Sequence, residues 1–239
     1  MKLSVIIPAY NESERIIPTL DSLNNYLSKQ VYEWEVLVVN DGSKDNTVEV
    51  VKSFMFHVPH FKLLDNKKNY GKGWVVKQGI LEAKGDYRLF MDADNATNIE
   101  TVEKFWSFFN QNYDVIIASI GMKGADVAGT EKFYRRIFGK LGNLWIQFWV
   151  TPGILDTQRG FKMFSKLAAE KIFSKLRILK WGFDIEVLAL ARKFNFKIKE
   201  VPIKWVNDPK SHVKLSAYIQ VLLEVLKIRW NLWTNKYKV

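Results

Sequence analysis

The sequence predicts an α/β fold in which a mostly parallel sheet lies between helices. Short apolar runs alternate with amphipathic segments along the first part of the chain, which is typical of strand–helix–strand units. Polar loops follow three of the predicted strands, and sheets of this kind bind ligands at the carboxyl ends of their strands. Two long amphipathic segments follow in the second part. We therefore expect one structural domain, with an α/β part at 1–130 and a second part at 131–239.

The predicted elements come from hydrophobic periodicity. Apolar runs predict strands at 3–8, 34–39, 61–64, 87–91 and 115–117. Apolar residues at helical spacing predict helices through 16–27, 48–54 and 75–81. Asn11 or Ser13 is a candidate N-cap for the first helix, and Asp45-Asn46-Thr47 opens the second.

Composition excludes several classes of protein. The chain has 239 residues, of which 48% are hydrophobic and 26% charged, so it is globular and not disordered. It contains no cysteine, which excludes disulfides, thiolate zinc sites and cysteine nucleophiles. The first apolar run is too short for a signal peptide, and no run approaches the roughly 18 residues of a membrane span. We expect a protein that is not secreted by that route and does not cross a bilayer.

The positive charge is concentrated in the second part of the chain. Residues 1–130 hold 14 Lys+Arg and 17 Asp+Glu, a balance of −3, whereas residues 131–239 hold 22 and 8, a balance of +14. The second part is also rich in tryptophan. This combination indicates either nucleic acid or an anionic membrane surface as a partner.

Two basic amphipathic segments favour the membrane. Segment 131–150 places a broad apolar face opposite a basic and polar one, the apolar residues being Phe133, Tyr134, Ile137, Phe138, Leu141, Leu144, Trp145, Phe148 and Trp149. Segment 214–233 repeats the arrangement with Leu215, Tyr218, Ile219, Leu222, Val225, Leu226 and Trp233 on its apolar face. Ser216, Gln220, Glu224, Lys227 and Asn231 form the predicted polar face of the second helix. Continuous apolar stripes beside basic residues are typical of membrane-surface helices, and they argue against stacking platforms for bases. Packing of both helices on the sheet is the alternative.

Two carboxylates follow the strand at 87–91. Asp92 and Asp94 are two residues apart, so in extended chain they face a common point. Such oxygen ligands suit Mg²⁺ or Mn²⁺ carried by a diphosphate. A strand cap followed by a turn residue would explain the pair equally well. The loops Asn11-Glu12 and Asn40-Asp41-Gly42, at neighbouring strand ends, favour the functional interpretation.

A glycine-rich turn at Gly71-Lys72-Gly73 follows the third strand. It is not a dinucleotide fingerprint, since Val76 occupies the place of the third glycine, and no Ser or Thr follows the lysine as in a phosphate loop. It could still bring backbone N–H groups and a cation to a phosphate. A plain flexible turn remains the alternative.

The motifs occur together in an order that resembles a known family. Val-Ile-Ile-Pro-Ala-Tyr-Asn-Glu, Val-Asn-Asp-Gly-Ser, Asn-Tyr-Gly-Lys-Gly and Met-Asp-Ala-Asp resemble the nucleotide-sugar domain of family 2 inverting glycosyltransferases, which have the GT-A fold. Asp156-Thr157-Gln158-Arg159-Gly160-Phe161-Lys162 and Trp181-Gly182-Phe183-Asp184-Ile185-Glu186 resemble the polyprenyl-phosphate branch of that family, and especially the dolichyl-phosphate β-glucosyltransferases.

This resemblance implies roles for the residues of the first part. Asp41 contacts the base or ribose of the donor. The same nucleotide-sugar pocket is shaped by Pro8, Ala9, Tyr10 and Glu12. Asp92 and Asp94 hold Mg²⁺ or Mn²⁺ at the diphosphate, and Lys72 adds a positive contact.

The resemblance also implies an acceptor site in the second part. Asp156 is either a general base or an orienting group, and Gln158 lines the same site. Relatives have an arginine after the strand at 115–117, where this chain has Ile120. The candidates to replace it at the acceptor phosphate are Lys123, Arg135, Arg136 and Arg159. His212 lies where relatives have a loop that closes over the diphosphate, and it is a candidate metal ligand.

The expected activity is transfer of a hexose, with inversion, from a nucleotide sugar to a polyprenyl or dolichyl phosphate. UDP-glucose is the first expected donor and GDP-mannose the second. The expected location is peripheral, on the cytoplasmic face of a membrane. Two alternatives stay open: a family 2 transferase acting on a sugar hydroxyl of a glycan or glycolipid, and a non-catalytic membrane adaptor.

Overall fold

The computed structural model describes residues 1–128, 133–206 and 215–238. Five of its strands were predicted: β1 Lys2–Ala9, β2 Glu33–Asp41, β3 Phe61–Asn66, β4 Tyr87–Met91 and β5 Val115–Ser119. Four more follow: β6 Asp126–Ala128, β7 Phe161–Ser165, β8 Ile198–Pro202 and β9 Lys204–Val206. The described helices are α1 Ile16–Leu27, α2 Thr47–Met55, α3 Lys72–Glu82, α4 Glu103–Phe109, α5 Phe133–Trp149, α6 Lys166–Lys175, α7 Phe183–Lys193 and α8 Leu215–Trp233.

Seven strands form the central sheet, in the order β3-β2-β1-β4-β7-β5-β8. All neighbouring pairs are parallel except those of β7, which runs antiparallel to both β4 and β5. The mostly parallel α/β architecture predicted from the sequence is therefore confirmed. β6 and β9 pair outside this sheet as a short parallel ribbon.

Helices cover both faces of the sheet because the strands alternate their apolar side chains. Val5 and Ile7 of β1 pack in one core cluster with α1 and α4, while Ile6 packs in another with α3, α6 and α7. A third cluster lies between α5, α7 and α8. The sheet is thus buried on both sides, and ligands can approach it only at the strand ends.

The predicted cap of α1 is wrong, whereas α2 begins at Thr47 after Asp45 and Asn46, as predicted. α1 begins at Ile16 after Arg15, and neither Asn11 nor Ser13 caps it with a side chain. The Asn11 side chain instead accepts a hydrogen bond from the Lys44 amide, at 2.8 Å. Its backbone takes the left-handed conformation, with φ 55°, which asparagine tolerates better than most residues. Contacts between loops, and not the local sequence pattern, therefore determine the conformation of the chain before α1.

Candidate active site

The carboxyl ends of β1, β2 and β4 meet at one edge of the sheet. Ala9 lies opposite Asn40 in the register of β1 and β2. Hydrogen bonds tie the two following loops together: the Glu12 amide donates to Thr47 Oγ1 at 2.8 Å, and the Ser13 amide to Asp45 Oδ2 at 3.1 Å. The loops therefore present a fixed edge to a ligand.

Glu12 is held by two hydrogen bonds from Arg15, at 2.9 and 2.8 Å. Burial raises the pKa of Glu12, the arginine opposes that shift, and Asp94 and Asp92 raise it further. The three carboxylates are therefore close enough to repel one another. The sequence did not indicate that Arg15 belongs to this group.

Asp92 forms an ion pair with Lys72, whose Nζ lies 2.5 Å from Asp92 Oδ1. Burial would lower the pKa of Lys72, but the Asp92 and Asp184 carboxylates outweigh it and raise the pKa. The Asp92 amide donates to the Gly160 carbonyl at 3.0 Å. A Cβ at position 160 would overlap the Asp92 carboxylate, so only glycine lets the chain pass there.

Asp94 lies in the loop that follows β4. The Ala96 amide donates to its carboxylate at 3.1 Å, and Thr19 on α1 holds the intervening Ala93 carbonyl at 2.7 Å. Burial raises the pKa of Asp94, and the Asp92 charge adds to that effect, while Lys72 and Arg15 oppose it. Ionisation of this aspartate is therefore costly without an added cation.

These carboxylates fit a divalent cation that is bound together with a substrate. Within the described residues, no group of three or more His, Cys, Asp and Glu side chains is arranged to hold a metal. Mg²⁺ typically takes one or two carboxylates and completes its shell with phosphate oxygens and water. Asp92 and Asp94 could supply the protein's share, and a diphosphate the remainder.

Asp41 fixes the turn that carries Lys72. Its carboxylate accepts hydrogen bonds from the Tyr70 amide at 2.7 Å and the Gly71 amide at 3.0 Å. Gly71 has φ 101°, and a Cβ there would lie 2.6 Å from the Leu179 carbonyl oxygen. The Gly71 N–H is therefore bonded to Asp41 and does not face a ligand in this structure. The contact of Asp41 with the base or ribose stays a prediction.

A buried ion pair lies behind Lys72. Lys162, the second residue of β7, is fully buried, and its Nζ lies 2.5 Å from Asp184 Oδ1 and 2.5 Å from the Arg159 carbonyl oxygen. The Asp184 carboxylate also raises the pKa of Lys72. Positive and negative groups thus alternate from Lys162 through Asp184 and Lys72 to Asp92. Sequence reasoning assigned Lys162 and Asp184 no role, although a lysine inside an apolar strand is a usable signal.

Asp156 organises the other side of the site. Its Oδ2 accepts hydrogen bonds from the Ile120 amide and from Arg159 Nε, both at 3.0 Å. Glu200 of β8 holds the Leu155 and Asp156 amides at 2.9 and 3.1 Å. The backbone of Ile120 and the side chain of Arg159 therefore meet at a single carboxylate oxygen of Asp156.

Trp205 of β9 supports Arg159. The guanidinium carbon lies 4.6 Å from the centre of the indole ring, within the range of a cation–π interaction. Neither Trp205 nor Glu200 was singled out from the sequence, because their roles depend on how β8 and β9 pass beside the loop at 155–160.

Five of the remaining predicted residues have described side chains. Pro8 and Ala9 are buried at the end of β1, and Tyr10 is exposed. Gln158 is exposed in the loop before β7, and Lys123 is exposed in the turn after β5. Arg135 and Arg136 belong to α5, but their side chains lie outside the part that the structure describes, and His212 lies outside it altogether.

The strand-end carboxylates and the lysine paired with Asp92 lie where the resemblance predicts a nucleotide-sugar site, and comparison with known proteins shows the family. The model of the family described as "Glycosyl transferase family 2" matches residues 4–173. The chain belongs to this family and is a glycosyltransferase, as the resemblance predicted.

The predicted branch is also confirmed by relatives. A dolichyl-phosphate beta-glucosyltransferase of Trichomonas vaginalis is 38% identical, over 98% of this chain and 73% of that protein. The dolichyl-phosphate beta-glucosyltransferase of Homo sapiens is 30% identical, over 100% of this chain and 78% of that protein.

Solved structures share the fold at low sequence identity. Glucosyl-3-phosphoglycerate synthase from Mycobacterium tuberculosis, in complex with Mn²⁺, UDP and phosphoglyceric acid, superposes with a TM-score of 0.71 at 16% identity, covering 95% of this chain and 78% of that one. Mannosyl-3-phosphoglycerate synthase from Rubrobacter xylanophilus gives a TM-score of 0.67 at 14% identity, covering 100% of this chain and 76% of that one.

Proposed function

We propose that this glycosyltransferase moves glucose, with inversion, from UDP-glucose to a dolichyl or other polyprenyl phosphate. The observation that carries the proposal is the pairing of two charged centres at one sheet edge. Asp92 and Asp94 with Lys72 suit a donor diphosphate, and Asp156 with Arg159 suits an acceptor phosphate. The names of the relatives support the same acceptor and sugar.

The residues at the donor diphosphate would stabilise the negative charge that forms on the leaving group. As the bond between the sugar C1 and the diphosphate breaks, negative charge builds on the departing phosphate oxygen. Lys72 is positioned by its ion pair with Asp92 and by the hydrogen bond from the Tyr70 amide to Asp41, which fixes the preceding turn. Its ammonium group therefore needs little reorganisation to stabilise that negative charge. A divalent cation held by Asp92 and Asp94 would add Lewis-acid stabilisation of the same leaving group.

The acceptor end needs orientation more than proton removal. The second pKa of a phosphate monoester is near 6, so the acceptor is largely dianionic at pH 7. One of its oxygens attacks C1 on the face opposite the leaving group, which inverts the anomeric centre. Arg159 is suited to hold this phosphate, since Asp156 and Trp205 fix its guanidinium.

The geometry also bears on the hydroxyl-acceptor alternative. A sugar hydroxyl would need a carboxylate base within hydrogen-bond reach, and Asp156 is the candidate. Its Oδ2 already accepts two hydrogen bonds, one from the Ile120 amide and one from Arg159. This favours Asp156 as an orienting group and a phosphate as the nucleophile. GDP-mannose remains the second candidate donor.

We further propose that α5 and α8 hold the protein against a membrane. Their outward stripes form what we call the outer apolar surface: Leu141, Leu144, Trp145 and Phe148 on α5, and Ile219, Leu222, Leu223, Leu226, Trp230 and Trp233 on α8. Phe148 is 78% and Trp233 75% exposed, and contiguous apolar surface of this kind marks an interaction site.

The solubilities of the two proposed substrates also favour a position at the membrane surface. A water-soluble donor and a lipid-borne acceptor meet only at a membrane surface, and the cytoplasmic face is the predicted one. Within residues 1–128, 133–206 and 215–238, no helix is both long and apolar enough to span a bilayer. Contact through the outer apolar surface would therefore be peripheral.

The decisive experiment measures transfer directly. Purified protein is given Mg²⁺ or Mn²⁺, a panel of UDP- and GDP-sugars, and a short polyprenyl phosphate in detergent. We expect a lipid-linked glucose from UDP-glucose, lost in Asp94→Ala and retained in the matched control Asp21→Ala on the exposed side of α1.

Other outcomes discriminate between the alternatives. Product from GDP-mannose alone would change the donor and keep the reaction. Transfer only to a free sugar or glycolipid would overturn the phosphate acceptor. Nucleotide binding without turnover on any pair would favour the non-catalytic adaptor.

A further inference from the structure

A cation-lined groove lies at the C-terminal end of α8, away from the carboxylates of the candidate active site. Its cavity measures about 560 Å³ and lies between residues 174–177 and 234–238. Its charged lining residues are Lys175, Arg177, Lys236 and Lys238, and no carboxylate among the described residues lines it. The chemistry of the lining therefore suits an anion.

The two walls of the groove are fixed to each other by one buried carboxylate. Glu186 of α7 is fully buried, and its Oε2 accepts hydrogen bonds from the Arg177 amide at 2.9 Å and the Ile178 amide at 2.6 Å. Its Oε1 accepts one from the hydroxyl of Tyr237, which is itself buried. The cations on the two walls therefore keep a set spacing, and the groove does not depend on a ligand to form.

The positive charge of the groove is not neutralised within the described chain. None of the four lining cations forms an ion pair with a carboxylate in residues 1–128, 133–206 or 215–238. Lys193 adds a fifth positive charge, with its Nζ 3.0 Å from Asn235 Oδ1. Burial lowers the pKa of the neighbouring Lys77, and Arg177 lowers it further, while Glu186 opposes the shift.

The groove directly continues the outer apolar surface along the chain. Trp230 and Trp233, which end that surface on α8, are 53% and 75% exposed, and the groove begins at the next residue, Thr234. Tryptophan favours the boundary between the acyl chains and the headgroups of a bilayer. A groove beginning one residue beyond these indoles would lie at headgroup level.

We propose that this groove binds the phosphate headgroup of an anionic membrane lipid and thereby orients the protein on the bilayer. The inference rests on the membrane contact of α5 and α8 proposed above, and it adds a specific anion site to that contact. Each basic residue close to an anionic membrane contributes about fivefold to binding. The same cations could hold a free phosphate, so the test separates the two sources.

The test measures binding of the full chain to vesicles by co-sedimentation. One set of vesicles is phosphatidylcholine alone, and the other also contains phosphatidylserine. The groove variant is Lys236→Gln/Lys238→Gln. The control is Lys29→Gln/Lys104→Gln, which removes the same charge from exposed residues on α1's end and on α4, across the sheet.

We expect the groove variant to lose about 30-fold in affinity for the phosphatidylserine vesicles, with little change on phosphatidylcholine. The control should lose far less, because α1 and α4 pack on the side of the sheet opposite α6 and α7, away from the groove. Equal losses in both variants would mean that only net charge matters, and would overturn the proposal. Unchanged vesicle binding by the groove variant, together with inorganic phosphate binding by the wild-type groove, would also overturn the proposal.

Failure of this inference differs from failure of the proposed function. The groove variant should transfer glucose normally to a short polyprenyl phosphate in detergent, where no bilayer is needed. If the wild-type protein makes no lipid-linked sugar, the proposed reaction fails. If the protein transfers sugar but does not distinguish the two vesicle types, the groove proposal fails alone.

Discussion

At the scale of single residues, the candidate active site depends on glycines as much as on charged groups. Gly160 lets the loop before β7 pass against Asp92. In Gly160→Ala the new methyl group would displace that carboxylate and the lysine paired with it. We expect activity to fall on the order of 100-fold, as for an ångström-scale misplacement of a reacting group, with a small change in Tm. Gly139→Ala in α5, where a Cβ meets nothing within 4 Å, is the matched control. Unchanged activity in Gly160→Ala would contradict the placement of Asp92.

Asp94 provides a test of the cation site that does not need turnover. Its pKa is raised in the folded protein by burial and by Asp92, so its ionisation disfavours folding at every pH above the ordinary carboxyl range. In Asp94→Asn that cost is absent. We expect a higher free energy of unfolding at pH 7, a rise in Tm of about 2–4 °C for each kcal/mol, and convergence with the wild type near pH 3.8, where the unfolded carboxyl protonates.

The same variant should lose the response to metal. Mn²⁺ with UDP should raise the Tm of the wild-type protein and leave that of Asp94→Asn unchanged, because a ligand stabilises only the state that binds it. A lower Tm in Asp94→Asn at pH 7, or an equal response to Mn²⁺ and UDP, would show that Asp94 is not a strained cation ligand.

Variants of Arg159 and Trp205 test binding of the acceptor separately from binding of the donor. Arg159→Gln should raise KM for the polyprenyl phosphate by about tenfold or more, since a charge-assisted hydrogen bond is lost. Trp205→Leu should raise it by about two- to fivefold through loss of the cation–π contact, and Trp205→Phe should restore most of it. KM for the donor should not change in any of the three. An effect on kcat and on donor KM alone would indicate a structural role.

At the scale of elements, α8 shows where a sequence pattern is informative and where it fails. The helix and its approximate bounds were predicted, but its predicted polar face is wrong in part. Glu224 holds the Gly182 amide at 2.7 Å, and Asn231 is buried against Tyr237. The buried stripe includes Val225, which was predicted to be on the apolar face, together with Val221 and Ile228, which were not. Such polar residues face inward because they satisfy groups on other elements, which periodicity within one helix does not reveal.

The exposed stripe of α5 gives the element-scale prediction. Leu144→Ser/Phe148→Ser replaces two residues that are 62% and 78% exposed, so the free energy of unfolding should change little. Binding to phosphatidylcholine vesicles should fall by at least tenfold, because each large apolar side chain contributes about 1.5–3 kcal/mol when buried. Leu167→Ser on α6, which is 66% exposed outside this surface, is the control. Equal binding by both variants would mean that the exposed stripes of α5 and α8 do not contact the membrane.

At the scale of the whole molecule, the sequence predicts the local elements well and their assembly poorly. Asp92, Asp94, Lys72 and Asp41 could be found because each follows a strand of the regular alternating part. The antiparallel insertion of β7 between β4 and β5 could not be found, since it pairs Met163 with Leu89 and with Ile116, which are 74 and 47 residues away in sequence. No local pattern encodes such a pairing. The placement of Lys162, Gly160 and Arg159 beside Asp92 follows from this insertion alone.

The insertion also predicts how the chain unfolds. β7 belongs to the second part of the sequence yet lies between β4 and β5 of the first, so residues 1–130 cannot complete the sheet alone. We expect one cooperative transition in urea, in which far-UV circular dichroism and tryptophan fluorescence coincide. Three tryptophans lie in 1–130 and six in 131–239, so the fluorescence reports on both parts. The fragment 1–130 should show no cooperative transition. Two separated transitions, or a cooperatively folded fragment, would mean that the two parts are independent domains and that β7 is dispensable for the sheet.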